Sequence, residues 1–71
     1  MVFSDRMKQL RHAHGITQKQ LAQDAHLSEL AIQNYESQRR KPAFDALIAL
    51  ADYFDVSLDY LVGRSDDPER R

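Results

Sequence analysis

The feature of this sequence that most limits its fold is a pair of helix-start signals lying close together. Thr17 is followed three residues later by Gln20, and this spacing predicts a capping box at the start of a helix. Shortly after the apolar stripe of that helix ends, Ser28 predicts the start of another. Because so few residues separate the two signals, two short helices must meet at a tight turn.

Hydrophobic residues at three- and four-residue intervals predict helices on both sides of this pair. A first helix would be capped by Ser4 and ended by Gly15, a fourth would begin at about Ala43, and a short fifth would run from the cap Ser57 to Gly63. The positions expected to face the core are Phe3, Met7, Leu10, His14, Leu21, Ala22, Ala25, Ile32, Tyr35, Phe44, Leu47, Ile48, Ala51 and Phe54. No alternating strand pattern and no repeat interrupts this pattern, so the fold class is all-α with five helices.

Length and composition restrict the chain to one small domain. A chain of 71 residues without cysteine has no disulfide and no thiolate metal site. No apolar run approaches the roughly 20 residues that a membrane span needs, and Met1–Lys8 lacks the apolar stretch of a secretory signal. We therefore expect a cytoplasmic protein without membrane association, with a domain over residues 1–64 and a charged, flexible tail over residues 65–71.

Charge is unevenly distributed along the chain. The formal net charge of -1 argues against a nucleic-acid-binding protein. However, residues 1–41 carry seven basic and four acidic side chains, a net +3, whereas residues 42–71 carry three basic and seven acidic ones, a net -4. The first part could approach phosphate while the second is repelled, which would orient the molecule on DNA.

The segment ITQKQLAQDAHLSELAIQNYE, which ends at Glu36, resembles the helix-turn-helix of the lambda-repressor-like (Cro/C1, or XRE) family. The resemblance extends from about Phe3 to Gly63. It rests on Gln18 at the start of helix two, on the small Ala22 where two helices cross, and on the later segments KPAFDAL and FDVSLDYLVG. It implies a compact five-helix DNA-binding domain whose helix-turn-helix is formed by helices two and three.

By this resemblance, helix three lies in the major groove of DNA and reads base edges. The residues expected to contact bases are Glu29, Leu30, Gln33 and Asn34. The residues expected to contact phosphate are Thr17, Gln18, Arg39, Arg40 and Lys41. The alternative for the basic run at 39–41 is a merely solvated loop.

Two further structural roles are implied by the same resemblance. His26 stands in the turn where family members usually have glycine, so we expect a positive φ there. Arg11 and Glu36 occupy positions that often pair in the family, and such a pair would tie helix one to the end of helix three.

The function implied is sequence-specific regulation of transcription, as a repressor, on a palindromic operator bound by a homodimer with half-sites about one helical turn apart. The dimer contact is expected at helix five, through Val56, Leu58, Leu61 and Val62. The rival hypothesis is a protein-interaction module, such as an antitoxin or phage adaptor, that uses the same fold. The weak net charge keeps this rival open.

Catalysis and metal binding are not expected. The sequence has no nucleophile with a supporting base and no glycine-rich phosphate loop. His12 and His14 would point about 200° apart on a helix, which argues against a shared metal. We therefore expect no enzyme activity, no cofactor, no metal and no small-molecule ligand.

Overall fold

The described part of the protein contains five helices. The computed structural model describes residues 2–70, with the backbone alone at Val2. The helices are α1 (Val2–Ala13), α2 (Gln18–Ala25), α3 (Glu29–Glu36), α4 (Phe44–Phe54) and α5 (Leu58–Leu61). The residues described contain no strand. The all-α, five-helix prediction is confirmed.

Three of the helices begin at hydroxyl caps. Thr17, Ser28 and Ser57 each accept, through the side-chain oxygen, the backbone N–H of the residue three positions later, at 3.0 Å. This satisfies one of the donors that the first turn of a helix leaves without an intrahelical partner. The second half of the capping box predicted at α2 is wrong. Within the described residues the Gln20 side chain extends toward Asp24, one turn further on, where its amide nitrogen donates at 3.3 Å, and its oxygen does not accept the Thr17 backbone N–H.

The prediction for the first helix needs two corrections. Ser4 does not cap α1, because α1 begins at Val2. Ser4 is a residue of the helix itself, and its side chain is buried with 1% of the residue surface exposed. His14 is not a core residue: it lies just beyond α1 and is exposed. Its ring packs against the edge of Phe54 with centroids 5.1 Å apart, so it covers the core from outside.

The core lies between all five helices. Packing joins α2 to α3 and α4, α1 to α3 and α5, and α4 to α5. The apolar side chains that are completely buried at its centre are Met7, Leu21, Ile32, Leu50 and Leu61.

Phe44 is the main error in the predicted core, since 70% of its surface is exposed. The buried side of α4 runs instead through Ala46, Leu50 and Phe54, at four-residue steps. Phe44 lies two residues before Ala46, which places it about 200° around the helix axis and away from the core. The sequence had shown an apolar residue at this position but not which way it points.

A hydrogen bond links α2 to α4. The hydroxyl of Tyr53 donates to Asp24 Oδ2 at 3.0 Å. Partial burial, and then the hydrogen bond and negative charge of Asp24, raise the pKa of Tyr53 above its ordinary value. The neutral phenol is therefore the form that this contact favours.

The tight turn between α2 and α3 depends on a left-handed residue. His26, the C-cap of α2, has φ 59° and ψ 39°, and its backbone N–H points to the carbonyls of Ala22 and Gln23. The positive φ expected at His26 is confirmed. Left-handed geometry is disfavoured for residues with a Cβ, so this turn stores strain.

Replacing His26 with glycine should raise the melting temperature. The His26 side chain is exposed, so little packing is lost, and relief of backbone strain should contribute on the order of 1 kcal/mol. For a domain of this size that corresponds to an increase of about 4–8 °C, measurable by thermal unfolding followed by circular dichroism. The matched control is His26→Ala, which keeps the strain and should not raise the melting temperature. An unchanged or lower value for His26→Gly would contradict this account of the turn.

The described part of the tail runs alongside the body of the protein. The backbone N–H of Ser57 donates to the carbonyl oxygen of Pro68 at 3.0 Å. Arg6 on α1 approaches the carboxylate of Asp66 at 3.6 Å. The flexibility expected of the tail stays a prediction, and its last residue, Arg71, lies outside the described residues.

Candidate nucleic-acid interface

Helix α3 has one buried and one open side. Ile32 and Tyr35 face the core, with 0% and 6% of their surface exposed. On the other side Glu29 and Gln33 are exposed, and Leu30 exposes 64% of its surface. The open side of α3 therefore presents polar side chains together with an exposed apolar one.

Asn34 is placed between the open side of α3 and the basic loop. Its side chain is half-buried. Its backbone carbonyl oxygen accepts the backbone N–H of Arg39 at 2.9 Å and that of Arg40 at 3.3 Å. The loop therefore folds back onto the last turn of α3. Because of these bonds, the basic residues have a fixed position relative to the open side of the helix.

The basic loop is well exposed. Arg39, Arg40 and Lys41 all lie in solvent, following a turn at Gln38 whose φ is 65°. Within residues 2–70 none of these three cations forms an ion pair. Their charge is consequently available to an anionic partner.

The start of α2 supplies a second anion-attracting feature. The first N–H groups of a helix lack intrahelical partners and lie at the positive end of the helix dipole. Thr17 is exposed at this end, and its hydroxyl caps the helix. Gln18 is half-buried, and its side-chain amide donates to Glu36 Oε1 at 3.1 Å. That bond uses one of the two N–H donors of the amide, so a phosphate contact at Gln18 could use the other amide N–H or the backbone N–H.

A buried ion pair fixes the orientation of α3. Arg11 contacts Glu36 through two atoms, with Nε to Oε2 at 2.7 Å and Nη2 to Oε1 at 3.1 Å. The side chains are 13% and 6% exposed, respectively. The remaining guanidinium nitrogen of Arg11 donates to the carbonyl of Ile16 at 3.1 Å. The expected pairing of Arg11 with Glu36 is confirmed, and it joins α1 and the α1–α2 turn to the end of α3.

Sequence reasoning missed the place of Gln18 in this network. Since Glu36 accepts from both Arg11 and Gln18, one carboxylate holds the start of α2 and the end of α3 together. The only signal in the sequence was that Gln18 opens a helix. Spacing along the chain does not reveal whether the side chain of a glutamine will bond a phosphate of DNA or a carboxylate on another helix.

The residues predicted for the dimer contact separate into two groups. Val56 and Leu61 lie in the core with 5% and 0% of their surface exposed, so predicting them as interface residues is wrong. Their side chains are used to anchor the short α5 and are not available to a second copy. Leu58 and Val62 are half-buried and retain exposed surface.

Leu58 and Val62 border different grooves. Val62 lines a groove of about 320 Å³ together with the apolar Pro42 and Leu47 and with two cations of the basic loop, Arg40 and Lys41. Exposed Phe44 lies between Pro42 and Leu47 in the sequence and was missed as a surface residue. Leu58 lines a separate groove at the junction of α4 and α5.

Across the residues that the structure describes, no group of three histidine or acidic side chains is placed to hold a metal ion. No helix there has the length and apolar character needed to cross a bilayer.

Comparison with known proteins places this geometry in a family. The helix-turn-helix family profile matches residues 7–61. The chain is 40% identical over 68 residues to YobD, an uncharacterized HTH-type transcriptional regulator of Bacillus subtilis, covering 96% of this chain and 61% of that protein. It is 35% identical over 66 residues to ImmR, an HTH-type transcriptional regulator of the same organism, covering 93% and 52%. The chain thus spans little more than half the length of these curated relatives.

A solved structure agrees with the sequence relatives. The P22 c2 repressor, crystallised in complex with a synthetic operator, superposes with a TM-score of 0.80 at 28% identity, covering 86% of this chain and 92% of that one. The profile match and the relatives cover the same helices that build the open side of α3. The chain therefore belongs to the lambda-repressor-like (Cro/C1-type) helix-turn-helix family.

Proposed function

We propose that this protein is a sequence-specific regulator of transcription, acting as a repressor, that binds double-stranded DNA with α3 in the major groove. The observation that carries the proposal is the open side of α3, held by the Arg11–Glu36 pair at one end and flanked by the free basic loop. A helix presented in this way can enter a groove about 12 Å wide. Such a regulator would act in the cytoplasm of a bacterium, encoded by the host or by a phage.

Base recognition would come from the exposed side of α3. Asn34 suits the paired acceptor and donor of adenine, Glu29 can accept from the amino group of cytosine, and Leu30 suits the methyl group of thymine. Gln33 lies between these residues on the exposed side. Each good contact of this kind contributes roughly 1–3 kcal/mol of discrimination against the wrong base.

Phosphate contacts would position the helix without reading sequence. The start of α2, at Thr17 and Gln18, offers backbone N–H groups and the helix dipole. The loop from Arg39 to Lys41 offers three uncompensated cations next to the last turn of α3. Contacts from both segments would fix the register of the protein on the duplex.

We further propose that the protein binds a palindromic operator as a homodimer, through the groove lined by Pro42, Leu47 and Val62. Phe44 is exposed and stands in the sequence between Pro42 and Leu47, which line the groove, so one surface would carry both a projecting side chain and a recess. A two-fold interface requires this self-complementarity, because the same patch must serve on both copies. With a volume of about 320 Å³, the groove can receive an aromatic side chain.

Asn34→Ala should weaken binding selectively. We expect a loss of about 1–3 kcal/mol per half-site against the preferred duplex, and a much smaller loss against unrelated DNA, because only base reading is removed. The measurement is fluorescence anisotropy with a duplex selected from a random pool, at two salt concentrations. Wild-type affinity should fall steeply with salt, since counterions are released.

Arg39→Ala is the matched control for this experiment. It should weaken binding to all sequences about equally and reduce the slope of log affinity against log salt by about 1. Binding that responds neither to salt nor to Asn34 would contradict the proposal and favour the protein-interaction module.

A further inference from the structure

A second open groove lies away from the candidate DNA interface, at the junction of α4, α5 and the tail. Its volume is about 590 Å³, and no residue assigned above to base or phosphate contact lines it. Its apolar lining includes Ile48, Val56 and Leu58. Its charged lining consists of one cation, Arg70, and four carboxylates, those of Asp52, Asp59, Asp67 and Glu69. A groove lined by apolar and acidic side chains together suits a ligand that is both cationic and apolar.

A guanidinium already sits at the edge of this groove. Arg70 contacts Asp52 through Nη2 at 2.5 Å and Asp55 through Nη1 at 3.5 Å. Asp52 lies in the last turn of α4 and Asp55 is its C-cap. Two carboxylates at the negative end of a helix dipole repel each other and the helix carbonyls, so a cation between them relieves both repulsions. The arginine of the tail is therefore a ligand of this site.

The arrangement selects arginine over lysine. The guanidinium is planar and presents separate N–H groups to separate carboxylates, whereas an ammonium acts as a single point charge. Here two different nitrogens of Arg70 serve two different aspartates. This is the geometry that an arginine from another chain would reproduce.

The tail is held in a way that permits exchange. The side chains of Arg70, Asp52 and Asp55 are 44%, 59% and 86% exposed, and ion pairs so exposed contribute little to stability. The backbone contact from Ser57 to Pro68 adds one hydrogen bond near a solvent-exposed edge. A competing cation could displace Arg70 without disturbing the core.

We propose that this groove binds an arginine-containing segment of a partner protein, with an apolar side chain next to the arginine, and that Arg70 is its built-in competitor. The incoming guanidinium would replace Arg70 between Asp52 and Asp55. Its apolar neighbour would pack on Leu58 and Ile48. The site is separate from the DNA interface and does not depend on the proposed regulatory function.

The test uses the 71-residue chain and the peptide acetyl-Leu-Arg-Leu-amide as probe, followed by ¹H–¹⁵N NMR. We expect shifts at the amides of Ile48, Ser57 and Leu58. Arg70→Ala should tighten binding about three- to tenfold because the competitor is removed, and Asp52→Asn should weaken it by a similar factor. The peptide acetyl-Leu-Lys-Leu-amide should bind more weakly than the arginine peptide.

Arg64→Ala provides the charge-matched control. Arg64 is an exposed arginine of the same tail that forms no ion pair in the described part of the chain. Its replacement changes the net charge as Arg70→Ala does, so an equal gain in both variants would show a general charge effect and overturn the proposal. An unchanged affinity in Asp52→Asn would also overturn it. Failure of DNA binding in the same samples would leave the peptide result unaffected, so the two proposals fail separately.

Discussion

Glu36→Ala is expected to destabilise the protein by about 3–5 kcal/mol, because it leaves the Arg11 guanidinium buried without its partner. The bidentate contact and the bond from Gln18 are lost together. A small domain has only about 5–15 kcal/mol of stability in total, so this change removes a large part of it. The melting temperature should fall by about 15 °C or more, as measured by calorimetry or circular dichroism.

A double variant separates the cost of a broken pair from the value of the pair itself. Arg11→Met combined with Glu36→Leu removes both buried charges and keeps apolar volume, so it should recover a substantial part of the lost stability. Glu69→Ala is the surface control and should change stability by less than about 0.5 kcal/mol, since Glu69 is exposed. A loss below about 1 kcal/mol in Glu36→Ala would contradict the structural role given to this network.

Phe44→Asp should produce a protein that folds normally and no longer self-associates. The side chain is 70% exposed, so the core loses almost nothing. At a two-fold contact, however, the change would replace the inserted aromatic ring by a carboxylate on each copy, so the apolar contact with Pro42, Leu47 and Val62 of the other copy would be lost. Affinity for a duplex with two half-sites should fall about 10²- to 10⁴-fold, because the second contact is no longer linked to the first. Affinity for a single half-site should stay the same.

Leu30→Asp is the matched control for self-association. Leu30 is the other large hydrophobic side chain that the described residues leave exposed, at 64%. Sedimentation equilibrium should show that Leu30→Asp leaves the monomer–dimer equilibrium unchanged, whereas Phe44→Asp abolishes the dimer. If wild type is a monomer at high micromolar concentration, or if both variants behave alike, the proposed dimer surface is wrong.

Local chemistry explains which parts of the fold could be read from the sequence. A hydroxyl cap bonds a backbone group three residues away, so Thr17, Ser28 and Ser57 could be assigned without any tertiary information. The positive φ at His26 and the Arg11–Glu36 pair came instead from the resemblance to a known family. Both depend on geometry that the family shares.

The errors arise where neighbouring helices decide the outcome. Periodicity showed that α4 and α5 are apolar, but it could not show that Phe44 points away from the core or that Val56 and Leu61 are fully buried. In a short terminal helix, the residues that anchor it to the core and those that could contact a second copy are of the same apolar types, so the sequence does not distinguish them. At Gln18, the side-chain amide also bonds Glu36 on another helix, a tertiary contact that local sequence does not reveal.

A ¹H–¹⁵N NMR titration of the protein with duplex DNA shows which residues the DNA contacts. The largest shifts are expected in three segments: residues 17–19 at the start of α2, residues 29–34 of α3, and the loop at residues 39–41. These shifts should weaken as salt is raised, because phosphate contacts release counterions. Shifts confined to α4, α5 and the tail, with α3 unperturbed, would mean that α3 does not receive DNA.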